Sequence, residues 1–378
     1  MNRIQYLDRA KALGMFFVYY GHFVWNLTFG EAGSPAAAHW RFIYSFHMPL
    51  FFFLAGIFWR PDRDLNIVKY LGEKARTRII PLVVFGLLVI PFWLIVDPRQ
   101  VAPNNLALYL VGFPAINILT WFIVCLFTLE ILVGILGKYF IADARYSVLF
   151  AVFFFFIGMF VMIPYADWLA QLSGTPKNFW YFNVAFVAMS FYLMGHGFRS
   201  FLLWLDESSW FVALILAAFS GIILFTTFNL NRDPLDLNGF HVVVMVAMSF
   251  GNPFWFVITA YAGIFFIISL ACLMNVNKPI IDLIGRNTMI YLGLNGLTFN
   301  FLDAKMVSFL AFKPETHGGV ALYSILYVCT VLLIFAPIVF GLRSWFPEFF
   351  GYHWEETSLV PPMSRWCRRK ASVPSLKS

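Results

Sequence analysis

The stretch "LDRAKALGMFFVYYGHF" (Leu7–Phe23) is apolar enough for lipid, yet it holds Asp8, Arg9, Lys11 and His22. At 100° per residue, Lys11 and His22 return to within about 20° of one helix face, roughly 16 Å apart along the axis. Asp8 lies one turn before Lys11, and Tyr19 one turn before His22, so one face groups Asp8, Lys11, Tyr19 and His22. Polar groups inside a span are costly and mark function by default. This stripe suits a cavity that opens at the helix start and reaches towards the bilayer middle. The plainer alternative is a snorkelling lysine and a hydrogen-bonded core histidine.

The rest of the chain agrees with a helix in lipid. Of 378 residues, 61% are hydrophobic, 20% aromatic and 12% charged, which no soluble domain hides. Apolar blocks of about 18–22 residues match a hydrocarbon core of about 30 Å. The expected fold is an all-α, polytopic integral membrane protein of about ten transmembrane helices, near 7–29, 42–59, 79–97, 117–137, 147–164, 180–198, 209–228, 255–275, 287–303 and 320–342. With the N-terminus in the cytoplasm, 20 of the 26 Lys and Arg fall in inner segments, against six outside: Arg41, Arg99, Lys177, Arg232, Lys305 and Lys313. That bias places both termini in the cytoplasm and assigns the net charge of +7 to topology rather than nucleic acid.

Residues 1–345 read as one membrane domain and 346–378 as a short tail, whose "RWCRRK" (Arg365–Lys370) anchors at an anionic leaflet. The four cysteines, Cys125, Cys272, Cys329 and Cys367, have no metal spacing, and none lies in an outer loop, so neither a metal nor a disulfide framework is expected. "SPAAA" (Ser34–Ala38) offers small residues for signal-peptide cleavage, but the run before it is long and contains a histidine. The inner loop Arg60–Arg78 ends as a basic amphipathic helix, and the outer loop Asn229–Phe240 is rich in turn formers. "HVVVMVAMSFGNP" (His241–Pro253) is apolar but too short to span, which suits a re-entrant or extended segment beside a cavity. No internal repeat of the kind found in many transporters is visible.

Further polar residues interrupt the apolar blocks. His47 and Pro49 sit at the start of the second span, where proline is tolerated. His47 is either an interfacial residue or a partner for His22 and the acceptor. Lys74, Arg76 and Arg78 precede Pro81 at the inner mouth of the third span. Such a cluster is either a positive-inside flank or a polyanion site, since guanidinium groups grip phosphates in pairs. Glu130 lies deep in the fourth span and is expected to face the interior and pair with a basic group. Asn287 and Thr288 can cap the ninth span, and Tyr291 and Asn295, at i,i+4, can hydrogen-bond in a shared cavity.

In this order and spacing the stretches resemble the acyltransferase-3 family of membrane O-acyltransferases, most of all the fucose 4-O-acetylase-like branch that acetylates bacterial polysaccharides. Asp8, Lys11 and His22 correspond to its Asp, Lys or Arg, and His eleven residues on; Phe46–Gly56 to its "FHMPLFFFLSG"; Arg76, Arg78 and Pro81 to its basic cluster before proline. Trp121–Ile123 corresponds to "WFL", Ile284–Met289 to "LGKNSL", and Phe191–Arg199 to "YFLLGYLLR" with His196 in place of an aromatic. Relatives carry a histidine near Asn295, and an asparagine there cannot carry a proton at neutral pH.

The resemblance implies transfer of an acyl group, usually acetyl, from cytoplasmic acetyl-CoA to a sugar hydroxyl at the bacterial inner membrane. The acceptor class it implies is a polysaccharide or a lipid-linked oligosaccharide. His22 is the expected general base or acyl carrier, because histidine titrates near neutrality. Lys11, Arg76 and Arg78 are expected to hold CoA phosphates, Asp8 to orient Lys11, and His47 to seat the acceptor. Tyr19, Trp121, Glu130, Asn287, Tyr291 and Asn295 are expected to support them. The alternative from another class is a transporter or flippase of lipid-linked sugars. A metal-dependent glycosyltransferase is disfavoured, because paired carboxylates at suitable spacing are lacking.

Overall fold

The computed structural model describes residues 5–62, 64–97, 121–139, 144–174, 179–231, 239–274, 279–309 and 314–352, and among these it is helical almost throughout. The basic tail, Cys367, Arg99, Lys177, Arg232 and Lys313 lie outside the described residues. Among the described residues, seven stretches are long and apolar enough to cross a membrane: Pro35–Ile57, Ile67–Val96, Trp121–Tyr139, Ala144–Met162, Trp210–Thr227, Pro253–Leu273 and His317–Trp345. The chain is a multi-pass membrane protein. Each of the seven corresponds to an expected span. At the other three expected spans lie α1 (Gln5–Leu27), which carries the polar stripe, the 16-residue Phe182–Gly197, and a helix broken near Thr298.

The second expected span starts earlier than its hydropathy suggests. Ser34 accepts a hydrogen bond from the Ala37 amide at 3.2 Å, and Pro35 takes the first helical position, which its missing N–H suits. "SPAAA" is thus a helix start. The resulting α2 (Pro35–Tyr44) gives way at Phe46 to α3 (His47–Ile57), so His47 opens a helix part-way through the span.

The amphipathic α4 (Ile67–Lys74), capped by the Asn66 side chain, runs through a wide π-type turn at Ala75–Ile79 into α5 (Ile80–Val96). Then come α6 (Trp121–Tyr139), α7 (Ala144–Ile157), α8 (Ala166–Ser173), α9 (Phe182–Gly197), α10 (Arg199–Glu207), α11 (Trp210–Thr227) and α12 (Pro253–Leu273). Last are α13 (Pro279–Arg286), α14 (Thr288–Leu297), α15 (Asp303–Phe309) and α16 (His317–Trp345).

Helix α1 is the axis of the bundle, packed by α2, α3 and α12 through α16. Because lipid supplies no hydrophobic drive between helices, close approach relies on small residues. At the α3–α9 crossing, a Cβ on Gly56 would overlap the Tyr192 carbonyl and one on Gly195 the Phe53 carbonyl. A Cβ on Gly285 of α13 would likewise meet the Asp8 carbonyl of α1. Gly195→Val should therefore force α3 and α9 apart at a cost of about 1–3 kcal/mol. In thermal denaturation of the purified protein it should lower the melting temperature, whereas Gly33→Ala, in open space, should not. Equal melting of the two variants would contradict this packing.

The segment His241–Pro253 is irregular, with one 3₁₀ turn at Met245–Ala247 in place of a spanning helix. Val244 and Ser249 form an isolated antiparallel bridge around a turn, and the side chain of Asn231 ties both Phe250 O and the Asn252 amide. Most of its apolar side chains are buried, and its last residues, Asn252 and Pro253, border an apolar cavity of about 600 Å³ beside α7 and α9.

Candidate active site

A cavity of about 460 Å³ opens beside the first half of α1. Lys11, Met15 and Val18, successive residues on one stripe of α1, line one wall. The aromatic and aliphatic face of α3, Phe122 and Leu126 of α6, and Thr288, Met289 and Leu292 of α14 supply the rest. The continuation of that stripe by four residues is His22.

One end of the cavity is basic. Lys11, Arg60, Lys74 and Arg78 border it, and Glu130 is the one carboxylate among the lining residues. Lys11 Nζ lies 3.7 Å from Asp8 Oδ1 and 4.6 Å from the centre of the Phe58 ring. The buried Glu130 accepts from Lys74 Nζ at 2.8 Å and, through both oxygens, from Arg78 Nε and Nη2 at 2.9 Å. Tyr70 OH donates to the Glu130 carbonyl at 2.9 Å, joining α4 to α6. Glu130 thus pairs with basic groups in the interior, as its position implied.

The arginines diverge, contrary to the sequence expectation. Lys74 and Arg78 are four residues apart and share a face, while Arg76 points the other way and meets Glu348 at 3.5 Å. Arg76 does not border the cavity, so the two arginines do not grip one anion together. The arginine fork at Arg78 is turned onto Glu130, leaving its remaining donors and those of Lys74 at the mouth.

Deeper along α1, the His22 ring lies 5.0 Å from that of Phe299 in a tilted arrangement, with Asn295 beside it. His22 Nδ1 and Asn295 Oδ1 are both buried without a hydrogen-bond partner among the described residues. His47, 2% exposed, lies within electrostatic reach of His22. Its Nδ1 is 2.9 Å from the Ile43 carbonyl. In the neutral ring that carbonyl holds the proton on Nδ1 and leaves Nε2 as the acceptor.

Further towards the other end of α1, Asp303 accepts from Tyr327 OH at 2.5 Å, and Tyr327 stacks on Phe23 at 4.0 Å. The second oxygen of Asp303 is buried without a hydrogen-bond partner among the described residues. The sequence reading missed Asp303, Tyr327, Tyr70 and Arg60. An acid near the end of the ninth span was the available signal for Asp303.

The remaining expected residues serve the scaffold. Tyr19 donates to the Tyr291 carbonyl at 2.6 Å and packs on Phe335, away from the cavity. Tyr291 OH turns to Leu332 O at 3.4 Å, so it shares no hydrogen bond with Asn295. Asn287 does not cap α14 with its side chain; it donates to Leu283 O at 2.7 Å and accepts from Arg343 at 3.1 Å. Trp121 packs at tilted and edge-on angles among Phe52, Phe122 and Tyr181, outside the lining.

The cavity is thus an apolar chamber with a cationic mouth, and the histidine pair lies beyond it, neither ring being among the lining residues. Residues 4–340 match the family described as acyltransferase domain, numbered 3 among such families. The chain belongs to the acyltransferase-3 family. No curated protein and no solved structure gives a match. Membership makes the chain a membrane acyltransferase, an enzyme that transfers acyl groups. The helix α1, with Lys11 and His22, lies almost wholly within the matched region, as do α3 and the Lys74–Arg78 turn.

Proposed function

We propose that this acyltransferase moves an acetyl group from cytoplasmic acetyl-CoA to a sugar hydroxyl of a bacterial polysaccharide or its lipid-linked precursor, at the inner membrane. Ten spans with both termini in the cytoplasm belong to the same proposal. The observation that carries it is the α1 stripe, which runs from the cationic mouth at Lys11 through an apolar wall to His22.

The mouth suits a phosphorylated donor: four cations face one carboxylate among the lining residues. The apolar wall suits the acetylated pantetheine arm and keeps water from the thioester. The unpartnered Nδ1 of His22, Oδ1 of Asn295 and Oδ2 of Asp303 favour an acceptor rich in hydroxyls on the other side of His22.

In the reaction, His22 takes the proton of the attacking hydroxyl as its oxygen bonds to the thioester carbonyl carbon. The carbon–sulfur bond then breaks, and the departing thiolate recovers the proton from His22. His47 sits beside this step with its tautomer fixed by Ile43 O, placed to seat the acceptor hydroxyl. Asn295, which cannot carry a proton, contributes hydrogen bonding only.

Donor titration tests the assignment of the mouth. Lys74→Ala should raise the KM for acetyl-CoA about tenfold, the loss of one charge-assisted hydrogen bond of about 1.5 kcal/mol. Arg76→Ala should leave it within about twofold, since Arg76 meets Glu348 outside the cavity. A larger effect at Arg76 than at Lys74 would move the donor site to another face of the α4–α5 turn. Tight binding of a nucleotide sugar with none of CoA would favour the transporter or glycosyltransferase alternatives instead.

A further inference from the structure

A second cavity, of about 450 Å³, lies at the end of the bundle where α1 begins, between α1, the end of α10, the start of α11 and the end of α12. Its lining includes Arg9, Asp206, Ser208, Ser209 and Trp210. Arg9 is two residues from Lys11, about 200° around the helix, and so faces away from the active-site cavity. It is 8% exposed, its Nε is fully buried without a hydrogen-bond partner, and no described residue accepts from its guanidinium. A buried, partnerless Nε on a side chain this enclosed is expensive in a membrane protein unless an anion completes it.

Two further features converge on the same space. Helix α11 starts at Ser209 with no side-chain cap, so its first-turn N–H groups and the positive end of its dipole border the cavity. Asp206 adds a carboxylate that is exposed at the rim and feels the charge of Arg9. The cavity therefore offers a buried cationic floor and an acidic rim, an arrangement that fits a zwitterion better than a simple anion.

The surroundings point to lipid. Helix α10 is short and amphipathic, with Leu203 and Trp204 exposed on one side and Asp206 and Glu207 nearby in sequence, the pattern of a helix lying in the membrane interface. Trp210, which lines the cavity, and Trp204 on α10 are 69% and 52% exposed, and exposed tryptophans of this kind form the aromatic belts at membrane interfaces.

We infer that this cavity binds the headgroup of an aminophospholipid, with the phosphodiester on Arg9 and the α11 N-terminus and the ammonium on Asp206. Arg9 supplies a planar donor fork suited to the phosphate oxygens. The site is separate from the acyl-transfer cavity and does not depend on the proposed reaction.

Native mass spectrometry of delipidated full-length protein, offered phosphatidylethanolamine, phosphatidylglycerol or inorganic phosphate, tests this. Wild type should retain one phosphatidylethanolamine about tenfold better than phosphatidylglycerol. Arg9→Gln should abolish that retention, and Asp206→Asn should lower it to the level of phosphatidylglycerol. Unchanged retention in Arg9→Gln, or equal retention of the two lipids by wild type, would overturn the inference. Displacement of the lipid by millimolar phosphate would assign the cavity to a soluble anion instead. Should Arg9→Gln fail to fold, Asp206→Asn carries the test alone, because that position is exposed and its substitution leaves the core intact.

Discussion

His22→Ala protein should insert normally, bind CoA as tightly as wild type, and transfer acetyl about 10²–10⁴-fold more slowly. The expectation follows from position. His22 continues the stripe whose start borders the cationic mouth, and it lies a turn beyond the last lining residue, Val18. Its Nδ1 is engaged by no described residue, whereas the Nδ1 of His47 is committed to Ile43 O. A base must reach the attacking hydroxyl, and His22 keeps Nδ1 uncommitted to the described scaffold. His47→Ala should also slow transfer, chiefly through the acceptor KM, because seating a hydroxyl is a binding role. A His22→Ala enzyme within tenfold of wild type would remove His22 as base, whatever its effect on the acceptor.

Glu130→Ala should be the most destabilising of the single charge substitutions. Glu130 is 3% exposed and is held by Lys74 and by two donors of Arg78. Removing it leaves two cations facing each other in a membrane interior. Breaking a buried pair in this way costs about 3–5 kcal/mol. The lower end applies here, because Lys74 and Arg78 keep 19% and 23% of their side-chain surface exposed.

The purified variant should melt several degrees lower, a shift typical of about 2–4 °C per kcal/mol in larger domains. Adding Arg78→Met to Glu130→Ala should recover part of that loss, since a hydrophobic replacement of both partners is often tolerated. Full loss in the double variant, with no recovery, would mean that Glu130 stabilises the fold by other contacts than its ion pairs.

Much of this was legible before any coordinates. The apolar blocks identify a multi-pass membrane protein, because burial in lipid imposes a length rule on sequence directly. Helical spacing placed Lys11 and His22 on one face, and the Lys11–Met15–Val18 wall follows that spacing. Glu130 declared itself because an acid so deep in a span needs a partner.

What sequence did not reveal depends on local breaks and on helix rotation. The start of α2 at Pro35 was hidden because its first turn, Pro35–Ala38, is made of small, weakly apolar residues, and hydropathy does not register a cap. Arg76 and Arg78 are indistinguishable as a basic cluster, but a π-type turn at Ala75–Ile79 sends them to Glu348 and Glu130 respectively. Tyr19 lies 60° from His22 around α1, enough to turn its hydroxyl to Tyr291 O instead of the cavity. Asp303 lies just past a second wide turn at Thr298–Leu302, where simple periodicity loses phase.

The most direct test supplies acetyl-CoA labelled in the acetyl group to one face of proteoliposomes containing the wild-type chain, with a glycan or lipid-linked oligosaccharide acceptor present. Label should pass to the acceptor with stoichiometric release of CoA, only when the donor is on the face carrying Lys11 and Lys74, and not with His22→Ala. Release of CoA with no label in any acceptor, or transfer that proceeds equally from either face, would contradict a donor path running from the cationic mouth to His22.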